Sequence, residues 1–271
     1  MTSLRLPAYY LSHGGGPWPF MADEFGAQFD RMAASLREIP GQLAAKPRAI
    51  LVISAHWEEL SFTVSAHPRP PMIYDYGGFP AYTYQVHYRA PGSPELAKQV
   101  QTLLSGGGLP ARLDAERGFD HGAFTVLQAM FPAADIPVVQ LSLQASMDPA
   151  THLKTGQLLA PLRDEGVLII GSGMSYHNMQ RLDPKGEQPS RQFDAWLLDT
   201  LVKAPATERW DRLIHWARAP AARLVHPREE HLLPLMVAVG AAGDEEASCI
   251  YHQEDLFGSL TCSSYRIGNG Q

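Results

Sequence analysis

Eleven histidines stand against two cysteines in this 271-residue chain. A transition-metal site here would have to be built from imidazole, since Cys249 and Cys262 are too few for a thiolate zinc finger or a disulfide scaffold. Three of the histidines share a position. His13 directly follows the run Leu6-Pro-Ala-Tyr-Tyr-Leu-Ser12 and precedes Gly14-Gly15-Gly16-Pro17. His56 follows Ala49-Ile-Leu-Val-Ile-Ser54, and His177 follows residues 167–170 after the turn Gly171-Ser-Gly-Met-Ser-Tyr176. Each alone reads as a structural hydrogen-bonding residue at a strand end. Three in the same topological position read as one chemical centre. Glycines beside His13 and before His177 agree with this, because glycine lets backbone approach a ligand or turn sharply.

Two further clusters carry chemistry. In Gly118-Phe-Asp-His121-Gly-Ala-Phe124, Asp120 reads as a helix cap. A neutral His121 there could hydrogen-bond a substrate oxygen beside the positive helix end. In His226-Pro-Arg-Glu-Glu-His231-Leu-Leu-Pro-Leu235, Glu229 and Glu230 are placed to complement a helix dipole. His231 opens the apolar segment and is expected to point inward. Familiar templates fail. H-E-x-x-H is absent, and the spacing from His226 to His231 is one residue too long for H-x-x-E-H, with Pro227 against a regular helix. Gly171-Ser-Gly-Met-Ser175 does not complete G-x-S-x-G, and Gly14-Gly-Gly-Pro17 is neither a phosphate loop nor a dinucleotide fingerprint. The segment Tyr74-Asp-Tyr-Gly-Gly-Phe-Pro-Ala-Tyr-Thr-Tyr84 is dense in aromatics and suits either a packing loop or a pocket for a flat ligand.

The elements that must hold these residues alternate. Apolar, β-branched runs at 6–12, 49–54, 61–65, 136–143, 167–170, 248–252 and 260–267 predict strands. Helical patterns occupy 24–38, 93–105, 121–131, 149–163, 193–202 and 229–239, with Ser93 as an N-cap before Pro94. This alternation predicts an α/β fold, a single domain over 1–271 with a largely parallel central sheet flanked by helices. Ligands of such sheets bind beyond the carboxyl ends of the strands, where the three histidines fall. A hydrophobic fraction of 45% and charged fraction of 18% supply an ordinary core. The net charge of −6, without a basic face, argues against a nucleic-acid partner. No apolar run approaches the ~18 residues that span a bilayer, and residues 1–7 have no apolar signal region. A cytoplasmic protein is expected.

In family order, the segments Leu11-Ser-His-Gly-Gly-Gly-Pro17, Ile53-Ser-Ala-His-Trp57, Tyr74-Asp-Tyr-Gly-Gly-Phe-Pro80, Asp120-His-Gly-Ala-Phe124, Gly171-Ser-Gly with His177-Asn178, Glu230-His-Leu-Leu-Pro-Leu235 and Ser263-Ser-Tyr-Arg-Ile-Gly268 resemble the class III extradiol ring-cleavage dioxygenases, in their 4,5-DOPA dioxygenase-like branch. The resemblance covers nearly the whole chain. It implies a mononuclear non-haem metal and opening of a catechol ring by O2. Carried over, His13, His56 and His231 correspond to the metal ligands, His177 to the acid/base, and His121 to the active-site histidine at a helix start. Protocatechuate-cleaving relatives use a glutamate as third ligand, so Glu230 competes with His231. Residues adjacent on a helix point about 100° apart, so only one can face the metal. The Glu-His-Leu-Leu-Pro-Leu form favours His231.

Three protein ligands would leave positions of a non-haem Fe(II) open for catechol and O2. An imidazole set also binds Zn(II) more tightly than Fe(II) by the usual affinity order, and His177 could then serve as a fourth, roughly tetrahedral ligand. Two other readings compete. A zinc-activated water could hydrolyse an amide or ester, and the fold could hold metal without catalysis. The identity of the catechol and of the cleaved bond is left open, as is oligomeric state, a homo-oligomer included.

Overall fold

The computed structural model describes residues 5–268. The first four residues, part of the segment read as lacking a signal region, lie outside the described residues. Among the described residues, eight strands run in chain order: β1 (Ala8–Ser12), β2 (Ala49–Glu59), β3 (Phe62–Ser65), β4 (Ala111–Asp114), β5 (Val138–Gln144), β6 (Val167–Gly173), β7 (Ala247–Leu256) and β8 (Leu260–Ile267). The helices are α1 (Ala22–Phe25), α2 (Asp30–Gln42), α3 (Pro94–Gly106), α4 (His121–Met130), α5 (Pro149–Leu159), α6 (Pro161–Asp164), α7 (Glu187–Leu198), α8 (Ala206–Ile214), α9 (Ala222–Val225) and α10 (Leu233–Ala242).

All strands join one sheet in the order β4-β3-β5-β2-β6-β1-β8-β7. The central four are parallel, β5 with β2, β2 with β6, and β6 with β1. Their apolar runs are buried throughout, from Ile50 to Ile53 in β2 and from Val167 to Ile170 in β6, as strands covered on both faces require. The antiparallel β7–β8 hairpin extends the sheet beyond β1.

Alternation along β6 shows how the two faces are used. A Cβ on Gly171 or Gly173 would come within 2.2 Å of Pro234 O or 2.1 Å of His231 O, so these residues face the start of α10 at backbone contact. Ser172, between them, donates from Oγ to Gly122 O of α4. Successive side chains of a strand point to opposite faces, so α10 covers one face and α4 the other. Every residue of α10 is buried. Both helices start at the carboxyl end of β6.

Several element ends depart from the periodic pattern. The stretch expected as one helix from 24 is α1, a 3-10 turn and then α2. The helix expected from 229 starts at Leu233, with residues 230–232 forming a turn held by Glu229 O, which accepts from Leu232 and Leu233 N. Strand β2 does not end at Ser54 but runs through His56 to Glu59. Its pairing with β5 slips between Ile53, opposite Leu141, and Glu58, opposite Leu143. That irregularity re-aims the side chains in between, which include His56. The Ser93 cap is present, its side chain accepting from Leu96 N.

Candidate metal and ring-opening site

His13 leaves the end of β1, with its N–H donating to Gly173 O so that the β1–β6 ladder continues into the site. His56 sits at the slipped segment of β2, His121 is the first residue of α4, and His231 lies in the turn before α10. His231 is held through its carbonyl, which accepts from Tyr10 Oη at 2.8 Å and Met174 N at 3.2 Å. His177 lies in the loop after β6, its N–H donating to Val225 O. All five imidazoles line one cavity of about 350 Å³.

The hydrogen-bond network assigns the tautomers. Ser172 Oγ spends its proton on Gly122 O, so at 3.2 Å it accepts from His13 Nδ1. His231 Nδ1 donates to Glu230 Oε1 at 3.0 Å, and His56 Nδ1 lies 3.4 Å from Asp75 Oδ2. These partners only accept, so the His13 and His231 rings carry their protons on Nδ1 and present lone pairs at Nε2, and the nearby Asp75 carboxylate favours the same tautomer in His56. The Nε2 atoms converge, with His13 and His56 3.1 Å apart and His56 and His231 3.3 Å apart. Nitrogens about 2.0–2.1 Å from one ion, at angles between octahedral and tetrahedral, lie about 2.8–3.4 Å apart. Facing lone pairs at this spacing repel unless a cation sits between them. The donor set therefore fits one metal ion, with each ligand oriented through its far nitrogen, as metal-bound histidines are.

Electrostatics agree. Burial, then the neighbouring imidazoles, hold His13 well below the usual imidazole range. Burial, partly offset by the Glu230 hydrogen bond, does the same for His231. His56 is lowered to about 4, by burial and then His121, against the pull of Asp120 and Asp75. The rings stay neutral, which is the ligating form.

His121 and His177 flank this trio. His121 brings a ligand-capable nitrogen within 4.8 Å of those of His13 and His56, and its Nδ1 donates to Asp75 Oδ1 at 2.9 Å. His177, Glu230 and His231 form a second such group. The His177 ring stacks on His231 with centroids 3.3 Å apart, and its Nδ1 lies 3.1 Å from Glu230 Oε1. Glu230 thus accepts from two imidazoles through one oxygen. Burial alone would raise its carboxyl, but the hydrogen bonds from His177 and His231 hold it far below the usual range. Glu230 and His231 are not helical neighbours 100° apart, as expected from sequence, because the helix begins after them.

Asp120 caps α4 through Ala123 N and, fully buried, also accepts from Ser54 Oγ, Arg117 and Gln140. Glu229 pairs with Arg223. Sequence reasoning missed Asp75 as a functional residue. Burial would raise its carboxyl, yet the hydrogen bond from His121 and the charges of His121 and His56 lower it to about 2. Its only signal is an acid amid the aromatic run 74–84. Of that run, Tyr76 and Phe79 line the cavity, while Tyr74 borders a different surface pocket.

Comparison with known proteins places this geometry in a family. The family model for the catalytic LigB subunit of aromatic ring-opening dioxygenase matches residues 7–263. A protein of Beta vulgaris named 4,5-DOPA dioxygenase extradiol is 43% identical, over 96% of this chain and 95% of its own. One of the same name from Escherichia coli K12 is 37% identical, over 99% and 97%. The crystal structure of an uncharacterized protein from Escherichia coli K12 superposes with a TM-score of 0.77 at 33% identity, over 97% of this chain and 100% of that one. The hydrolytic and non-catalytic readings are not favoured. The chain belongs to the LigB family of aromatic ring-opening dioxygenases, and is a metal-dependent extradiol enzyme that opens a catechol ring with O2.

Proposed function

We propose that His13, His56 and His231 hold an Fe(II) ion, that His177 is the acid/base of ring opening, and that His121 steadies the substrate oxygens. The whole chain, 1–271, acts as one catalytic domain in this reading. The observation that carries it is the convergence of the three Nε2 atoms, with Nδ1 of His13 and His231 hydrogen-bonded to acceptors and Nδ1 of His56 facing the Asp75 carboxylate. When bound, the metal supplies Lewis acidity and a redox link between the diol and O2.

The residues do the rest. With Nδ1–H directed at Glu230 Oε1, His177 offers Nε2 to take a proton from a diol hydroxyl. The imidazolium so formed lies beside the Glu230 carboxylate, which stabilises it until the proton is returned. His121 is oriented the same way by Asp75, and stands at the N-terminus of α4, where the helix end favours an oxyanion. Phe25, Phe79, Leu256 and Phe257 line the cavity and exclude water. The relatives' names point to a substituted catechol, and we carry that class to this chain. The same three imidazoles bind Zn(II) more tightly than Fe(II), so zinc-bearing material should need exchange before it turns over. His177, stacked beside His231, could complete a zinc site.

Metal analysis and turnover of variants test this. His13→Ala, His56→Ala or His231→Ala should each abolish stoichiometric metal binding. His177→Ala should keep the Fe(II) and lose turnover by about 10²–10⁴-fold. Full metal retention in His231→Ala, or near-parental turnover in His177→Ala, would overturn these assignments.

A further inference from the structure

Residues 55–57 of β2 lie outside the regular register of the sheet. Pairing with β6 runs to Ser54, opposite Ser172, and pairing with β5 resumes only at Glu58. His56 sits in that gap. An irregularity of this kind bends the strand and leaves backbone groups that other partners must satisfy. A metal ligand placed there therefore needs something besides the ladder to fix its aim.

A polar cluster supplies it. His56 N donates to Ser54 Oγ at 3.2 Å, and Ser54 Oγ donates on to Asp120 Oδ1 at 2.7 Å. His56 O accepts from Arg117 Nη2 at 3.3 Å, and the same nitrogen donates to Asp120 Oδ2 at 2.8 Å. Both backbone groups of His56 thus reach one carboxylate, each through a single intermediary. Asp120 is fixed in turn by Ala123 N of α4 and by Gln140 Nε2 of β5. Its side chain is fully buried and paired with Arg117, which is itself 17% exposed. The Arg117 guanidinium lies 4.8 Å over the Trp57 ring, and its backbone N–H donates to Asp114 Oδ1. A planar guanidinium can bridge two oxygens while stacking on an indole, and the point charge of a lysine cannot do both.

We infer that Arg117 is a positioning residue for His56: together with Ser54 it clamps the slipped segment of β2 to Asp120, and so sets the direction in which His56 presents Nε2. Asp120 also caps α4, whose first residue is His121. The same clamp therefore fixes the His56 ring against the His121 ring, with centroids 4.0 Å apart. This rests on the proposed ligand role of His56 and extends it to two residues that stand behind the cavity rather than in its lining.

The test compares Arg117→Met, Arg117→Lys and Ser54→Ala with the parent by chelator competition for metal, visible absorption of the Co(II) forms and urea unfolding of the metal-free forms. Losing an orienting partner of a metal ligand typically costs about 10–100-fold in affinity. Arg117→Met should show that loss, still at one ion per chain, with a shifted Co(II) spectrum. Arg117→Lys should recover part of it. Arg163→Met is the control, because Arg163 is also buried and paired, with Glu245, but precedes β6 while the site lies beyond the end of that strand. It should lower unfolding stability and leave affinity and spectrum at parental values. Because Arg117 and Ser54 act on His56 through one carboxylate, the double variant should lose less than the product of the single losses. Parental affinity and spectrum in Arg117→Met, or the same changes in Arg163→Met, would overturn the inference and leave His56 a ligand. Stoichiometric metal in His56→Ala would overturn the ligand assignment, and the inference with it.

Discussion

Glu230 is the residue on which two views of the metal site divide. As a ligand it would replace His231. As an anchor it holds His231 and His177 through one oxygen, at 3.0 and 3.1 Å. Its other oxygen, Oε2, has no hydrogen-bond partner among the described residues and lies 3.8 Å from Arg228, so the distinction needs a measurement. Glu230→Gln keeps the shape and one acceptor oxygen but removes the charge. A hydrogen bond to a charged group contributes about 1.5–3 kcal/mol and a neutral one about 0.5–1.5, so weakening two of them costs roughly 2 kcal/mol. That agrees with the 10–100-fold, or about 1.4–2.7 kcal/mol, typical of losing an orienting partner of a metal ligand. With Glu230 as anchor, competition against a chromophoric chelator should show Glu230→Gln binding metal about 10–100-fold more weakly, still at one ion per chain. Loss of stoichiometric metal in Glu230→Gln, as in a ligand deletion, would refute the reasoning and make Glu230 the third ligand.

Two more outcomes follow from contacts away from the metal. Gly173→Ala places a Cβ 2.1 Å from His231 O, so it should destabilise by about 1–3 kcal/mol and weaken metal binding. Gly41→Ala, where a Cβ meets nothing within 4 Å beyond its own helix backbone and chain neighbours, should do neither in thermal unfolding and metal titration. His152 is lowered to about 4 by burial, against its hydrogen bond to Asp148 O. Its native state thus binds fewer protons than the unfolded chain, and stability present above about pH 6.5 should fall by roughly 3 kcal/mol as pH drops toward 4. Urea unfolding of the parent and of His152→Gln across that range should show the difference between them shrinking with acidity, and a constant difference would contradict it.

The strand-end histidines were legible in sequence because β-branched runs mark parallel strands and ligand sites lie at their carboxyl ends. Asp120 was legible as a cap for a similarly local reason. The partners that set the tautomers were not. Asp75 reaches His121 across 46 residues, and Ser172 reaches His13 across 159, separations that no period or local motif encodes. The start of α10 was misplaced because the apolar pattern begins before the backbone can turn. Residues 230–232 form a turn, and it is this turn that lets Glu230 and His231 serve one site. Strand β4 and helix α8 were missed. Ala111–Asp114 is short and partly exposed, and the nine residues of α8 are mostly polar, with only Arg209 and Leu213 buried.

The central claim is that these imidazoles hold a metal that opens a catechol ring with O2. Anaerobic reconstitution with Fe(II), addition of a catechol, and then admission of O2 tests it most directly, with O2 uptake and product absorbance recorded together. One O2 consumed per ring opened, a yellow product and an inactive zinc form are the expected results. Product formed without O2, or a zinc form as active as the iron form, would contradict the claim.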